Sequence, residues 1–481
     1  MDAAAIFGPV SLIPIVIIIV LSLITKKTFE PLLVSTFVAV IIFQVYNNAS
    51  EGVYNVWTNI QSVLGGFVGL LLKEMKDDTI GWVILVCGLM GALLFILEKS
   101  NAAASFANYL TKFAKTRKRA LFATWAFGIL LFIDDYLNVL TVGNTMKKVT
   151  DKHNISRAML AYSVGSTAAP IVILVPISTW AVFFASLLAG QGVLGADGTA
   201  FSAYVNCIPF LFYGWICVFV VLPLVILGVI PLMGPMKKQE LAARETGNLF
   251  PPGVEPPEVE SEIEVDPNQK QGGVLDFVLP LVILVAATII FGKDLLTGAI
   301  VALIYTAIQY FARKLVKWTQ LIDQFWAGFS TMIQVFGLLV LAFSFKDACA
   351  DLGFVDYVIG IVEPIMSGAV LPAVVFIATA VMAFAMANFW GLAAIVIPIV
   401  VPLASAMGMG VGSIGMSLCC AAVFCGAAFG SHACFYADAA ILIGKATDIR
   451  PYDHAITQLP YAIIAAVLST ILYLIFGFVY L

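Results

Sequence analysis

Apolar runs close to the length of a membrane-crossing helix follow one another along nearly the whole chain, separated by short polar breaks. A helix needs about 20 apolar residues to cross a bilayer. Runs of that order stand at 8–25, 30–46, 79–98, 158–189 and 204–232, and again at 274–292, 295–312, 332–350, 415–445 and 456–481. One long polar stretch interrupts them, MKKQELAARETGNLFPPGVEPPEVESEIEVDPNQKQGG, which is acidic and proline-rich. It divides the chain into 1–234 and 273–481, and 235–272 reads as a linker without chemistry of its own.

Lysine and arginine placement sets the orientation of these runs. Lys26 and Lys27, the cluster Lys112, Lys115, Arg117, Lys118 and Arg119, then Lys147 and Lys148, and Lys237 and Lys238 belong on the cytoplasmic side. The loop 190–203 has no basic residue and belongs outside, as do both termini. Residues 120–146 are apolar yet have basic clusters on both flanks, and they are too short for two crossings. The economical solution is a re-entrant hairpin, 120–149, that enters from the cytoplasm and turns at IDDYLN near mid-membrane.

The second half repeats this plan with opposite orientation. VWTNIQSVLGGF (56–67) resembles KWTQLIDQFWAGF (317–329), and 371–405 takes the place of the first hairpin, with ANFWGL where DDYLNV stood. The flanks of 371–405 carry no basic residue, so this hairpin enters from outside. Five spans plus one hairpin is an odd number, which forces the two halves into opposite orientations, the plan of secondary transporters built from inverted repeats. Each half also holds an interrupted helix: 158–189, with Pro170 and Pro176, and 415–445, with glycines, His432 and Asp438. Proline removes a helix hydrogen bond and glycine admits a close neighbour. Broken backbone at membrane depth is tolerated only inside protein or along a cavity. The expected fold is therefore an all-α polytopic membrane protein of two inverted repeats, with about ten transmembrane spans and two re-entrant hairpins, whose tips and broken helices enclose one central polar site.

Composition agrees and narrows the class. Of 481 residues, 61% are hydrophobic and 11% charged, and the mean hydropathy is +1.02; a soluble chain carries about 25% charged residues. The net charge of −4 gives no reason to expect a nucleic-acid partner. The eight cysteines lie in apolar segments without CxxC or Cys/His ligand spacing, so they read as small packing residues. The N-terminus lacks a basic n-region and a cleavage site and reads as a retained span. No Walker A sequence supports ATP-driven transport, and no nucleophile elbow or HExxH motif supports an enzyme.

The candidate chemistry lies at the interruptions. A carboxylate in hydrocarbon costs at least about 2.5–3.5 kcal/mol, and the adjacent pair Asp134 and Asp135 repel unless a proton or a cation lies between them. Sodium, a hard cation, takes oxygen ligands as calcium and magnesium do. Asp134, Asp135, Asn138, Thr141, Ser166, Thr167 and Asp438 are the expected cation-binding residues. Ser178, Thr179, Trp180, Asn388, Trp390, Gly391, His432 and Tyr436 are the expected substrate-binding residues. Simpler roles stand beside these: helix capping for the aspartates and Asn388, packing for Trp180 and Trp390, and a satisfied interior histidine for His432. Lys346, Asp347 and Asp351 read as a solvated or paired cluster, and Lys445, Asp448, Arg450, Asp453 and His454 as structural residues of a cytoplasmic loop.

On these residues the chain resembles the NhaC-type sodium/proton antiporter family of the ion-transporter superfamily. The family's DDYLN…LTVG…M…VTDK run stands here as Asp134–Asn138, Thr141–Gly143, Met146 and Val149–Lys152. Its STAAP…PISSW run stands as Ser166–Pro170 and Pro176–Trp180, and its DH…TQLPYA run as Asp453, His454 and Thr457–Ala462. The second half departs from the pattern. The TSWGT-like tip is Asn388-Phe389-Trp390-Gly391-Leu392, and SDTT is Ala437-Asp438-Ala439-Ala440, so hydroxyl ligands are lost. The resemblance implies a transport domain with an elevator motion, a homodimer in the plasma (inner) membrane, and no cofactor beyond sodium or protons as coupling ions. It also implies a small organic solute as cargo, an amino acid or a hydroxy or dicarboxylic acid. The alternatives are sodium/proton exchange without an organic substrate and, from another class, an ion channel or a non-transporting scaffold.

Overall fold

The computed structural model describes residues 3–25, 29–76, 78–100, 102, 114–251, 272–291, 294–362, 367–386, 389–435 and 437–481. Among them every regular element is a helix. Eight helices are long and apolar enough to cross a membrane, or nine if the bent pair Ala200–Phe210 and Phe212–Leu227 counts as one span. Val274–Ile290 and Thr179–Gly190 are apolar but shorter, so the described spans number fewer than the ten expected.

The segment around the paired aspartates is not a straight rod. Thr116 caps a helix Arg117–Leu130, the chain turns at 131–134, and Asp134 caps a second helix, Asp135–Lys152. The far ends of the two helices meet. Arg117 Nη1 donates to the carbonyls of His153 (3.3 Å) and Asn154 (2.5 Å), and the His153 ring nitrogen Nε2 lies 2.7 Å from the Ala114 carbonyl. An antiparallel pair joined by a four-residue turn follows. At the turn, Asn138 Nδ2 reaches the carbonyls of Gly128 (2.6 Å) and Leu131 (3.2 Å), acceptors that the first helix leaves open at its C-terminus.

The second half holds a similar pair, Leu371–Met386 and Phe389–Ala406. Its outer ends are also close: a Cβ on Gly368 would lie 3.3 Å from Met409 Cε and 3.9 Å from the Met407 carbonyl. The arms differ in length from those of the first pair, because Gly368–Ala385 and Phe389–Ala406 each reach the 18 residues of a short crossing.

Both long runs expected to be broken are broken. The first is split into Arg157–Ser166, the four-residue Ala169–Val172 and Thr179–Gly190; the second into Ile414–Ala433 and Asp438–Thr447. Of these five elements, Arg157–Ser166 and Ala169–Val172 are buried throughout, and Thr179–Gly190 and Ile414–Ala433 nearly so. Close approach there depends on glycine. A Cβ on Gly128 would fall 2.0 Å from Thr167 Oγ1, and one on Gly143 would fall 2.7 Å from the Ala446 Cβ.

The stretch expected to be only a linker begins as a helix, Gly234–Thr246, with Met236, Gln239, Glu240 and Ala243 buried. Glu240 accepts from Ser156 N (2.9 Å) and Ser156 Oγ (2.8 Å) and pairs with Arg117. Its helix therefore ties the base of the hairpin to the base of the broken helix. The eight cysteines are buried and form no disulfide among the described residues, in keeping with a packing role. Asp347 pairs with Lys73 and, at 3.3 Å, with Lys346, as expected of a paired cluster.

Candidate functional site

Three helices of the described chain begin at one place, and a fourth begins beside them. Asp135–Lys152 and Thr179–Gly190 start together, since Thr179 N donates to the Ile133 carbonyl at 2.9 Å. Asp438–Thr447 starts against the first of these, where the Tyr136 hydroxyl donates to Asp438. Phe389–Ala406 opens with Phe389 stacked on Trp180, ring centroids 4.9 Å apart and planes 17° apart. Helix N-termini carry partial positive charge and unpaired N–H groups, so acidic residues placed there are stabilised. This arrangement offsets part of the cost of holding carboxylates away from water.

The two adjacent aspartates have different surroundings. Asp134 Oδ1 accepts from the backbone of Tyr136 and Leu137, both at 3.0 Å, and Oδ2 accepts from Thr179 Oγ1 at 3.0 Å. It is the cap of its helix, with both oxygens engaged. Asp135 has no exposed surface. Its Oδ1 accepts from Trp180 Nε1 at 3.1 Å, while Oδ2 has no protein partner among the described residues. Asp438 is accessible at the protein surface, accepts from Ala439 N at 2.8 Å, and is bonded to Tyr136. The carboxylates thus run inward from an accessible one to a wholly buried one. Their hydrogen bonds come from backbone N–H groups, a threonine, a tryptophan and a tyrosine, and none of these brings a positive charge.

Asn138 holds the arrangement together. Besides its two bonds at the hairpin turn, Nδ2 lies 2.8 Å from the Thr167 carbonyl at the break of the neighbouring helix. Its Oδ1 is buried and has no protein partner. Aromatic rings close the outer side: Trp390 packs on Trp180 (5.3 Å) and on Phe183 (4.8 Å).

The other expected residues divide. Thr179, Trp180 and Trp390 belong to the cluster, and Gly391 is buried one residue beyond Trp390 in the same helix. Ser178 is next to it but serves the backbone: its Oγ donates to the Val172 carbonyl (2.6 Å) and caps Ala181 N (3.0 Å). Thr167 likewise turns its Oγ1 to the Ser163 carbonyl at 3.0 Å. Thr141 is half-buried, six residues beyond Asp135 and so about 9 Å further along the helix. Ser166 and His432 face each other instead of the aspartates, Oγ to Nε2 at 3.3 Å, and the Tyr213 hydroxyl meets His432 Nδ1 at 2.7 Å. Asn388 and Tyr436 lie outside the described residues.

Two residues are absent from the sequence-based set, Tyr136 in the cluster and His454 outside it. Tyr136 stands within the DDYLN run but reads there as another apolar ring. His454 was grouped with a cytoplasmic loop, yet it has no exposed surface and lies one turn inside Pro451–Tyr480. Its position in the DH…TQLPYA run was the available signal.

Comparison with known proteins agrees with this architecture. The sequence profile of the Na+/H+ antiporter family matches residues 200–478, more than half of the chain. An uncharacterized protein of Haemophilus influenzae is 24% identical over 499 residues, covering 98% of this chain and 91% of that protein. Two solved structures share the fold at 14% identity. The Alcanivorax borkumensis YdaH transporter superposes with a TM-score of 0.62 over 88% of this chain and 90% of its own. Neisseria gonorrhoeae MtrF, from a class of antimetabolite efflux pumps, superposes with a TM-score of 0.55 over 92% and 94%.

Proposed function

Because this chain belongs to the Na+/H+ antiporter family, a family of membrane transporters and not of enzymes, we propose that it is an ion-coupled secondary transporter whose coupling cation is held by Asp135 with Asp134 and Asp438. The observation that carries this reading is Asp135 itself. A buried carboxylate with one oxygen engaged and the other without a protein partner is expensive unless a cation or a proton completes it. Asn138 Oδ1 supplies a second uncommitted oxygen donor, and sodium takes such oxygens. The protein is a multi-pass membrane protein; the inner membrane, a cytoplasmic linker and external termini are part of the proposal.

The proposed cycle is alternating access between two inverted repeats, with the hairpins and broken helices moving as a transport domain in an elevator-like motion, in a homodimer. Coupling requires that sodium and protons differ in affinity between the inward and outward states, because a ligand with equal affinity for both shifts nothing.

A second reading adds an organic cargo. The converging helix N-termini favour an anionic group such as a substrate carboxylate, and the rings of Trp180, Phe389 and Trp390 offer an apolar wall. An amino acid or a hydroxy or dicarboxylic acid has that combination, and MtrF is assigned to a class of antimetabolite efflux pumps. The experiment is purified protein in liposomes with a pH dye inside. Proton movement on imposing a sodium gradient supports exchange, and dependence of that movement on an added organic acid supports the second reading. An ohmic current without coupling, or an Asp135→Asn variant stabilised by sodium as well as the natural protein, contradicts the proposal.

A further inference from the structure

Beneath the carboxylates lies a second group of buried polar side chains that the cation site does not use. His432 joins Ser166 and Tyr213 through its two ring nitrogens, and Gln458 Nε2 donates to the His432 carbonyl. Gln458 and His454, one helical turn apart, both border Gly165: a Cβ there would lie 2.9 Å from Gln458 Oε1 and 3.3 Å from His454 Cε1. Tyr162, on the same helix as Gly165, has its ring 4.8 Å from that of Tyr461 and its hydroxyl near Ser166. All of these side chains are buried, and His454, Gln458 and Ser166 have no exposed surface.

Buried polar atoms are almost always hydrogen-bonded. Here both ring nitrogens of His454 and Oε1 of Gln458 have no protein partner among the described residues. Three such atoms around one glycine mark a place suited to ordered water, which binds buried groups through two to four hydrogen bonds. The position is also informative. Ser166 precedes Thr167, whose carbonyl is held by Asn138, and His432 ends the helix whose break leads to Asp438. On the other side stand Arg157 and Asp448, 3.7 Å apart, at the basic end of the molecule.

We propose that His454, with Gln458 and the Ser166–His432–Tyr213 group, forms a hydrated proton path between the carboxylate site and the face that carries Arg157 and Asp448. This inference rests on the proton-coupled reading above and names the route by which the proton travels. A neutral imidazole relays without holding charge: it accepts a proton from water at one nitrogen and releases the other nitrogen's proton to a neighbouring water. The products are the opposite tautomer and a proton moved across the ring, and rotation of the ring restores the start. Hydroxyls of Ser166, Tyr162 and Tyr213 both donate and accept, so they extend such a chain. His454 borders Gly165 from Arg157–Ser166, where Ile443 from Asp438–Thr447 and Gln458 from its own helix also meet, and Gln458 links this place to His432 from Ile414–Ala433. Its chain neighbour Asp453 is engaged by Arg450 at 2.5 Å.

The test compares the natural protein with His454→Phe and His454→Gln in liposomes, reading sodium-driven proton movement, together with sodium-dependent thermal stabilisation in detergent. The expected result is at least a tenfold slower proton movement in both variants with the sodium stabilisation retained. A solvent deuterium effect of about twofold should be seen in the natural protein and is a readout that needs no variant to fold. Unchanged proton movement in His454→Gln, or no deuterium effect in the natural protein, overturns the path. If the natural protein moves no protons under a sodium gradient, the proton-coupled reading fails first and the path with it.

Discussion

The Tyr136 hydroxyl donates to the carboxylate of Asp438, joining residues 302 positions apart in the chain. The bond ties the tip of the first hairpin to the break of the second long helix, at the accessible edge of the carboxylate cluster. A hydrogen bond to a charged acceptor contributes about 1.5–3 kcal/mol. Tyr136→Phe keeps the ring and removes the donor, so it should lower the melting temperature in detergent by several degrees without changing helix content by circular dichroism.

Asp134 and Asp135 should respond differently to the same change. Asparagine caps a helix about as well as aspartate, so Asp134→Asn should fold normally and keep a reduced sodium-dependent thermal shift. Asp135→Asn removes the charge of the buried carboxylate whose outer oxygen has no protein partner, and it should lose that shift. Titrating sodium against thermal unfolding of the two purified variants separates them, and equal shifts would contradict the different roles.

Ser178 gives a control from inside the same cluster. Its hydroxyl caps Ala181 N and reaches the Val172 carbonyl. Ser178→Ala should therefore cost about 1 kcal/mol of stability and leave the apparent sodium affinity within twofold. A large affinity change at constant stability would restore it as a ligand.

Gly128 has no room for a side chain, because a Cβ would fall 2.0 Å from Thr167 Oγ1. Overpacking of this kind costs about 1–3 kcal/mol or more, and here it would also pull Asn138 from the Thr167 carbonyl. Gly128→Ala should show reduced yield of folded protein by size-exclusion profile, whereas Gly65→Ala, in the helix Val56–Met75 with open space around it, should lose less.

Glu240 is buried beneath Ser156 and Arg117. Removing one partner of a buried pair costs about 3–5 kcal/mol, so Glu240→Ala should unfold at markedly lower temperature. Glu240→Gln keeps an acceptor for Ser156 and should recover part of the loss.

The parts of this molecule that obey a local rule were readable from its sequence. The aspartate pair had to turn the chain, because two carboxylates amid ILLF and VLTV have no place on a lipid-facing rod, and the turn falls at 131–134. The break near Pro176 follows from proline. What could not be read was how side chains divide their bonds. Ser178 and Thr179 are adjacent hydroxyls in one PIST run, yet one serves a backbone carbonyl six residues away and the other Asp134, 45 residues away. His454 sits beside Asp453 and looks like a loop residue until the tertiary fold buries it. The linker misled for the same reason: MKKQELAARET has the composition of a solvated helix, and only the distant Ser156 and Arg117 reveal why Glu240 is covered.

The helices that start at Asp135 and Asp438 run side by side in one direction and in register: Tyr136 with Asp438, Gly143 with Ala446, and Lys147 with Asp448 at 2.9 Å. Three fastenings along one seam, one of them without space for a methyl group, leave these two rods no freedom to slide past each other. They form a single stiff plank drawn from the two halves of the chain. Under the alternating access proposed above, the movement would be taken up at the plank's outer margins, against the helices that do not share its seam.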